Sequence, residues 1–295
     1  MERRYLPSVI VFTLIASWLP DILAKEFFGV QSLWLRVVKA AVLAAAAAYY
    51  LTSGRSRPLG KYLAVLASIV SVEVIVFLVE TSQWWRSLFD YGMFVSFFGS
   101  SILLKFFGII PVAAVLLFMF KNPREVYLVP GDWHAGVSRI RWLGIAEGAI
   151  SWGKLSLISA VLIALGTTLL TLITVTGFSL PSGAADLWRY LPVIIGFALV
   201  NSFCEGLVYR NAILGPLKDL LPKRELILVA AVYFGIAHYA GAPGGIIGVV
   251  MSSVLGWYMC RSMYESGGFL PSWIIHFLQD VVIFSTIFLL GGFLR

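Results

Sequence analysis

The sequence predicts an all-α fold, a polytopic membrane helix bundle of about eight or nine transmembrane helices, and three observations predict it. The 295 residues are 60% hydrophobic and 13% charged, with a mean hydropathy of +0.91, where soluble domains carry about 25% charged residues. Apolar runs of roughly 20 residues, the length that crosses a hydrocarbon core, recur along the chain. Short basic clusters separate them at alternate loops, as cytoplasmic loops do. These clusters also account for the net charge of +7, which in a soluble chain would suggest nucleic acid; no nucleic-acid partner is expected here. Cys204 and Cys260 both lie in apolar stretches and make no disulfide framework.

Taken in order, the first apolar run follows Arg3 and Arg4 and ends near Leu23. It lacks a small-residue cleavage site, so it reads as an uncleaved span rather than a signal peptide. A second span covers about Leu33 to Leu51, with Ala41 to Ala48 as a small-residue face for close packing. A third follows the Ser53–Lys61 loop to about Glu80 and contains Glu73; a fourth covers about Ser96 to Phe120 and contains Lys105. These two charges either pair across two helices or snorkel to their own interfaces. Lys121 to Lys154 is the longest polar connection, turning at Pro130-Gly131, with His134 read as an interfacial residue rather than a ligand.

Five further spans follow, at about Leu155–Val175, Tyr190–Ile213, Leu226–Tyr239, Ile246–Met263 and Ser272–Leu290. With nine spans, five basic loops fall on one side: Arg3/Arg4, Arg55 to Lys61, Lys121 to Lys154, Lys218 to Arg224, and Arg261. That places the N-terminus in the cytoplasm. Eight spans result if the first run lies in the interface. The expected division is residues 1–150 as N-terminal transmembrane helices and 151–295 as the domain that carries the chemistry. The expected location is multi-pass in the cytoplasmic membrane of a prokaryote, with the lipid bilayer as partner.

That chemistry is suggested by ionisable residues at hydrocarbon depth, which persist mainly where they face a cavity or a partner. Glu205 and Arg210 continue the apolar run Leu191 to Val200 without a turn signal; His238 ends the next apolar segment; His276 and Asp280 are four apart, on one face of the last. Convergence in one cavity satisfies all of them. A glutamate shielded from bulk water can act as general base, and a neutral histidine can hold the attacking water beside it. A second histidine with a neighbouring carboxyl group can stabilise an oxyanion. That set is sufficient to hydrolyse an amide. A zinc site built from the same glutamate and histidines is the competing chemistry, although His-Glu-x-x-His is absent.

Glu205-Gly-Leu-Val-Tyr-Arg210, Phe234-Gly-Ile-Ala-His238 and His276-Phe-Leu-Gln-Asp280, in this order, resemble the motifs of a membrane protease family. The family contains the CAAX prenyl endopeptidases and bacteriocin-processing proteins, often called CPBP or Abi proteins. Its pattern is Glu-Glu-x-x-x-Arg, Phe-x-x-x-His and His-x-x-x-Asn or Asp. The resemblance covers about Tyr190 to Leu290. It implies a glutamic-type intramembrane peptidase in which Glu205 activates water, His238 assists, His276 and Asp280 stabilise the oxyanion and Arg210 supports the site. It implies no metal and no cofactor, and a membrane-associated peptide or protein as substrate. Gly206 departs from the pattern, standing where the family has its second glutamate. In a helix that acid would pair with Arg210, which here needs another acid, a carbonyl or the interface. The alternative to catalysis is a scaffold or regulator on the same helices, with the polar cluster as glue.

Overall fold

A computed structural model describes residues 3–171, 173, 185–241 and 244–290. The end of the span expected to reach Val175, and Ala242 and Pro243 of the loop after His238, lie outside the described residues. Among the described residues the chain forms helices joined by turns and two isolated bridges, with no strand. The helices are α1 (Leu6–Ala16), α2 (Leu19–Phe28), α3 (Leu33–Thr52), α4 (Arg57–Thr81), α5 (Gln83–Ser87) and α6 (Phe94–Phe120). After the long connection come α7 (Trp152–Thr171), α8 (Leu187–Gly206), α9 (Ala212–Leu217), α10 (Lys223–Ala237), α11 (Gly245–Ser266) and α12 (Leu270–Leu290).

By length and composition seven helices can cross a membrane, or eight if the bent pair α1–α2 is one span. This is the polytopic all-α bundle expected, near the lower end of the expected count. Two local features set the number. The first apolar run is not one straight helix: Ser17 is extended (ψ 175°) and caps the break, Pro20 sits in the first turn of α2, and the two pieces meet at 56°. Proline fits that first turn because its missing N–H is an orphan there anyway. The second is α10, with 15 residues. At 1.5 Å per residue it covers about 22 Å, short of the ~30 Å hydrocarbon core. The chain turns back at Tyr239 and Ala240, and α10 and α11 form a close hairpin. Gly267, at φ 72°, ends α11 in the left-handed conformation that glycine adopts without strain.

The outward faces are apolar. Leu157, Val161, Leu162 and Leu165 of α7 are exposed along one side, where lipid rather than water covers them. Trp34, Trp84, Trp142 and Trp188 are also exposed and lie near helix ends or in a loop, as in the aromatic belt of a membrane protein. The inside is divided among packed clusters. One holds α1, α3, α4, α9 and α10 together through Leu43, Tyr62, Leu63, Leu66 and Tyr233. Another joins α4, α6 and α8 through Val65, Ile109, Val112 and Cys204.

One irregular turn matters for the site. Between α8 and α9 the helix continues through Leu207–Asn211 as a π-helical turn, so Leu187–Leu217 is one long span. A π turn adds a residue to the helix and rotates the side chains after it. Here it buries Arg210 and Asn211; Asn211 Nδ2 donates to the Val126 carbonyl at 2.8 Å, tying the span to the loop that follows α6.

Candidate active site

The four residues expected to share a cavity come close to one another, although of the four Glu205 alone lines the cavity described below. Glu205 stands near the end of α8, His238 caps the C-terminus of α10, and His276 and Asp280 share one face of α12. Glu205 Oε2 lies 3.5 Å from His276 Nε2 and 3.9 Å from His238 Nε2. His276 Nε2 is also 3.6 Å from Asp280 Oδ1. Phe234, one turn before His238, packs between the imidazoles, its ring centroid 4.3 Å from His238 and 5.8 Å from His276.

Hydrogen-bond partners fix the tautomer of each histidine. His238 Nδ1 is 2.8 Å from the Phe234 carbonyl, which can only accept, so Nδ1 carries a proton and, in the neutral ring, Nε2 presents a lone pair. His276 is the reverse. Its Nδ1 receives the two terminal guanidinium nitrogens of Arg210, Nη1 and Nη2, each at 3.2 Å, and a guanidinium can only donate. Nδ1 of His276 therefore carries the lone pair, and its Nε2–H points toward Glu205 and Asp280. Glu205 Oε2 and His238 Nε2 are then two acceptors facing one another, beside one fixed donor. They are too far apart to be directly bonded.

Arg210 does not end on an acid or at the interface, as the sequence left open. Besides His276 it donates toward the Met259 sulfur at 3.6 Å and the Ser202 carbonyl at 3.5 Å. Its Cζ sits 5.7 Å from the centre of the Phe234 ring. Gly206 makes this possible: a Cβ there would come within 2.7 Å of Arg210 Nη2. The missing second glutamate thus coincides with a guanidinium folded back against its own helix to hold a histidine.

Two polar residues that sequence reasoning did not assign to the site belong to it. Lys105 of α6 neither pairs with Glu73 nor snorkels to an interface; its Nζ lies 2.7 Å from Glu205 Oε1 and 2.5 Å from Asn201 Oδ1. Asn201 passes the connection on, donating from Nδ2 to Asp280 Oδ2 at 3.0 Å. Glu73 accepts instead from Trp18 Nε1 at 3.0 Å. The signal for Lys105 was its charge in the middle of an apolar span. Asn201 offered none, because an uncharged amide is unremarkable in a helix. His134 stays outside the site, its backbone N–H bonded to Asp132 Oδ1.

Glu205 and Lys105 also line a cavity of about 310 Å³ between α4, α6 and α8, which Glu73, Val76, Leu104, Val112 and Trp18 help to enclose. The cavity is apolar apart from its few charged groups, and Glu205 is where it meets the histidine cluster. Among the described residues, no group of three or more His, Cys, Asp or Glu is placed to hold a metal ion. With Arg210 donating to its Nδ1, His276 carries a proton on Nε2 rather than a lone pair for a metal.

Residues 187–282 match the family model described as Type II CAAX prenyl endopeptidase Rce1-like. The match takes in Asn201, Glu205, Arg210, His238, His276 and Asp280, about a third of the chain, and leaves Lys105 and the other α4 and α6 walls of the cavity outside it. No curated protein and no solved structure matches the chain at a significant level.

Proposed function

From the match of residues 187–282 to the Rce1-like endopeptidases, we propose that this multi-pass membrane protein is a peptidase that hydrolyses a membrane-associated peptide or protein with water activated by Glu205. We place it in the cytoplasmic membrane of a prokaryote, with residues 151–295 as the catalytic domain. The observation that carries the reading is the pair of acceptors, Glu205 Oε2 and His238 Nε2, 3.9 Å apart. A water donating one hydrogen to each satisfies both lone pairs and leaves its oxygen free to attack. Glu205 takes the proton as the water oxygen adds to the scissile carbonyl. His276 Nε2–H, held in that tautomer by Arg210, is the donor available to the oxyanion, with Asp280 beside it. Glu205 then returns the proton to the departing amine.

The cavity beside Glu205, about 310 Å³, has room for an apolar side chain of a substrate. Its largely apolar wall suits a segment drawn from the bilayer. The scaffold reading accounts for the polar cluster as helix glue, but it gives no reason for Glu205 Oε2 and His238 Nε2 to face each other too far apart for a direct bond. The test is to incubate the purified protein in detergent with a pool of membrane-proteome peptides in ¹⁸O-water. Peptidase chemistry predicts discrete cleavage products with one ¹⁸O in each new C-terminus, unaffected by a chelator. Products lost in chelator with stoichiometric metal in the protein would support zinc; no products above a heat-inactivated control would support the scaffold.

A further inference from the structure

We propose that Lys105, outside the family-matched segment, is a positioning residue of the hydrolytic site: it holds the Glu205 carboxylate ionised and aims its second oxygen at the histidines. The proposal rests on the reading of Glu205 as the base.

Lys105 sits in a 27-residue apolar helix, 11 residues after its start and 15 before its end, or about 17 and 22 Å from the two ends. A lysine side chain spans neither distance, so the ammonium must be satisfied where it stands. It is satisfied by Glu205 Oε1 and Asn201 Oδ1. Because it takes Oε1, the carboxylate is left with Oε2 toward His238 and His276. The Asn201 amide adds a second constraint: its oxygen accepts from Lys105 and its nitrogen donates to Asp280. One lysine therefore fixes both carboxyl groups of the cluster.

Facing Glu205 are Lys105 from α6, His238 from the end of α10, and His276 and Asp280 from α12. Arg210, from the same span, lies nearby but is engaged with His276. Among the described residues Lys105 is the one lysine or arginine in contact with the Glu205 carboxylate. A carboxyl group alone in a low-dielectric interior takes up a proton rather than remain charged, and a protonated carboxyl cannot serve as a base.

The experiment compares Lys105→Met, Lys105→Arg and Glu205→Gln with the unaltered protein on one peptide substrate. The expected result is kcat lower by about 10²-fold in Lys105→Met with KM little changed, the size of a lost general base, and most of kcat kept in Lys105→Arg. Wild-type kcat in Lys105→Met while Glu205→Gln is inactive would overturn the proposal and leave Glu205 as base. A raised KM with unchanged kcat would overturn it too, assigning Lys105 to substrate binding. An active Glu205→Gln would instead remove the reading on which the proposal rests. A second measurement needs no turnover. The infrared spectrum of folded Lys105→Met, or of Lys105→Gln if methionine is not tolerated, should gain a protonated-carboxyl band at neutral pH that disappears when Glu205→Gln is added. Absence of that band would overturn the proposal by itself.

Discussion

At the residue scale the site is ordered by groups that can only donate meeting groups that can only accept. Arg210 and Lys105 are pure donors, and each takes one acceptor of a pair: Nδ1 of His276 and Oε1 of Glu205. Gly206 leaves the space in which Arg210 turns back. Gly206→Glu should therefore draw the guanidinium off His276 and onto the new acid, an i,i+4 pair worth about 0.2–0.5 kcal/mol at an exposed site. The expected outcome is unchanged or higher thermal stability with lower kcat, checked by a melting curve and a turnover assay on the same preparation. Lower stability with normal kcat would show that the Arg210–His276 contact is not what the chemistry uses. At this scale much was legible, because Glu205, Arg210, His238, His276 and Asp280 are expensive at hydrocarbon depth and stand out for that reason. What stayed hidden was partner choice. Lys105 and Glu205 are 100 residues apart, and which helices adjoin is decided by packing that no local pattern spells out.

At the element scale the short α10 decides where His238 ends up. Its apolar run suggested a full span, since composition shows hydrophobicity but not where a helix stops. Stopping after 15 residues places His238 at a helix end inside the bundle, where its ring nitrogen can reach the Phe234 carbonyl. The α10–α11 hairpin is held close by two glycines. A Cβ at Gly235 would meet Ser253 Oγ at 2.0 Å and the Val249 carbonyl at 2.6 Å, and one at Gly256 would meet Phe234 Cδ1 at 2.9 Å. Gly235→Val should thus destabilise the protein by about 1–3 kcal/mol, the usual cost of overpacking, and reduce activity because the helix carrying His238 must shift. Thermal melting and turnover of this variant check both; a melt like that of the unaltered protein would show that the hairpin has slack. The bend between α1 and α2 is the other element the pattern left unresolved, although Pro20 marked its place.

At the scale of the whole molecule, the site is assembled across the chain rather than within its C-terminal part. Helices α4 and α6 supply one wall of the cavity and the cation on Glu205. The long connection between α6 and α7 is fastened at a separate point. The buried Glu265 carboxylate accepts from Lys223 Nζ at 2.8 Å, Arg261 Nε at 2.9 Å, Trp152 Nε1 at 2.9 Å and the Ser138 amide at 2.9 Å. Arg261 also donates to the carbonyls of Ser138 and Arg139. Removing the acid in Glu265→Ala leaves a largely buried arginine without its counter-charge and should cost about 3 kcal/mol or more, read as a lower denaturation midpoint and faster proteolysis around residues 133–151. Equal protease resistance would show that the connection is held by its apolar contacts. The clamp was out of reach of sequence reasoning, because its donors come from three separate stretches of chain, Ser138–Trp152, Lys223 and Arg261.

The central claim is that Glu205 takes the proton from the attacking water. The most direct measurement is the turnover of one defined membrane-peptide substrate by Glu205→Gln and by the unaltered protein, in the same detergent and with equal folded fractions. Glutamine keeps the shape of the side chain and one accepting oxygen but cannot take up that proton. Turnover lower by about 10²–10⁴-fold with an intact fold is the predicted result; equal turnover would contradict the account.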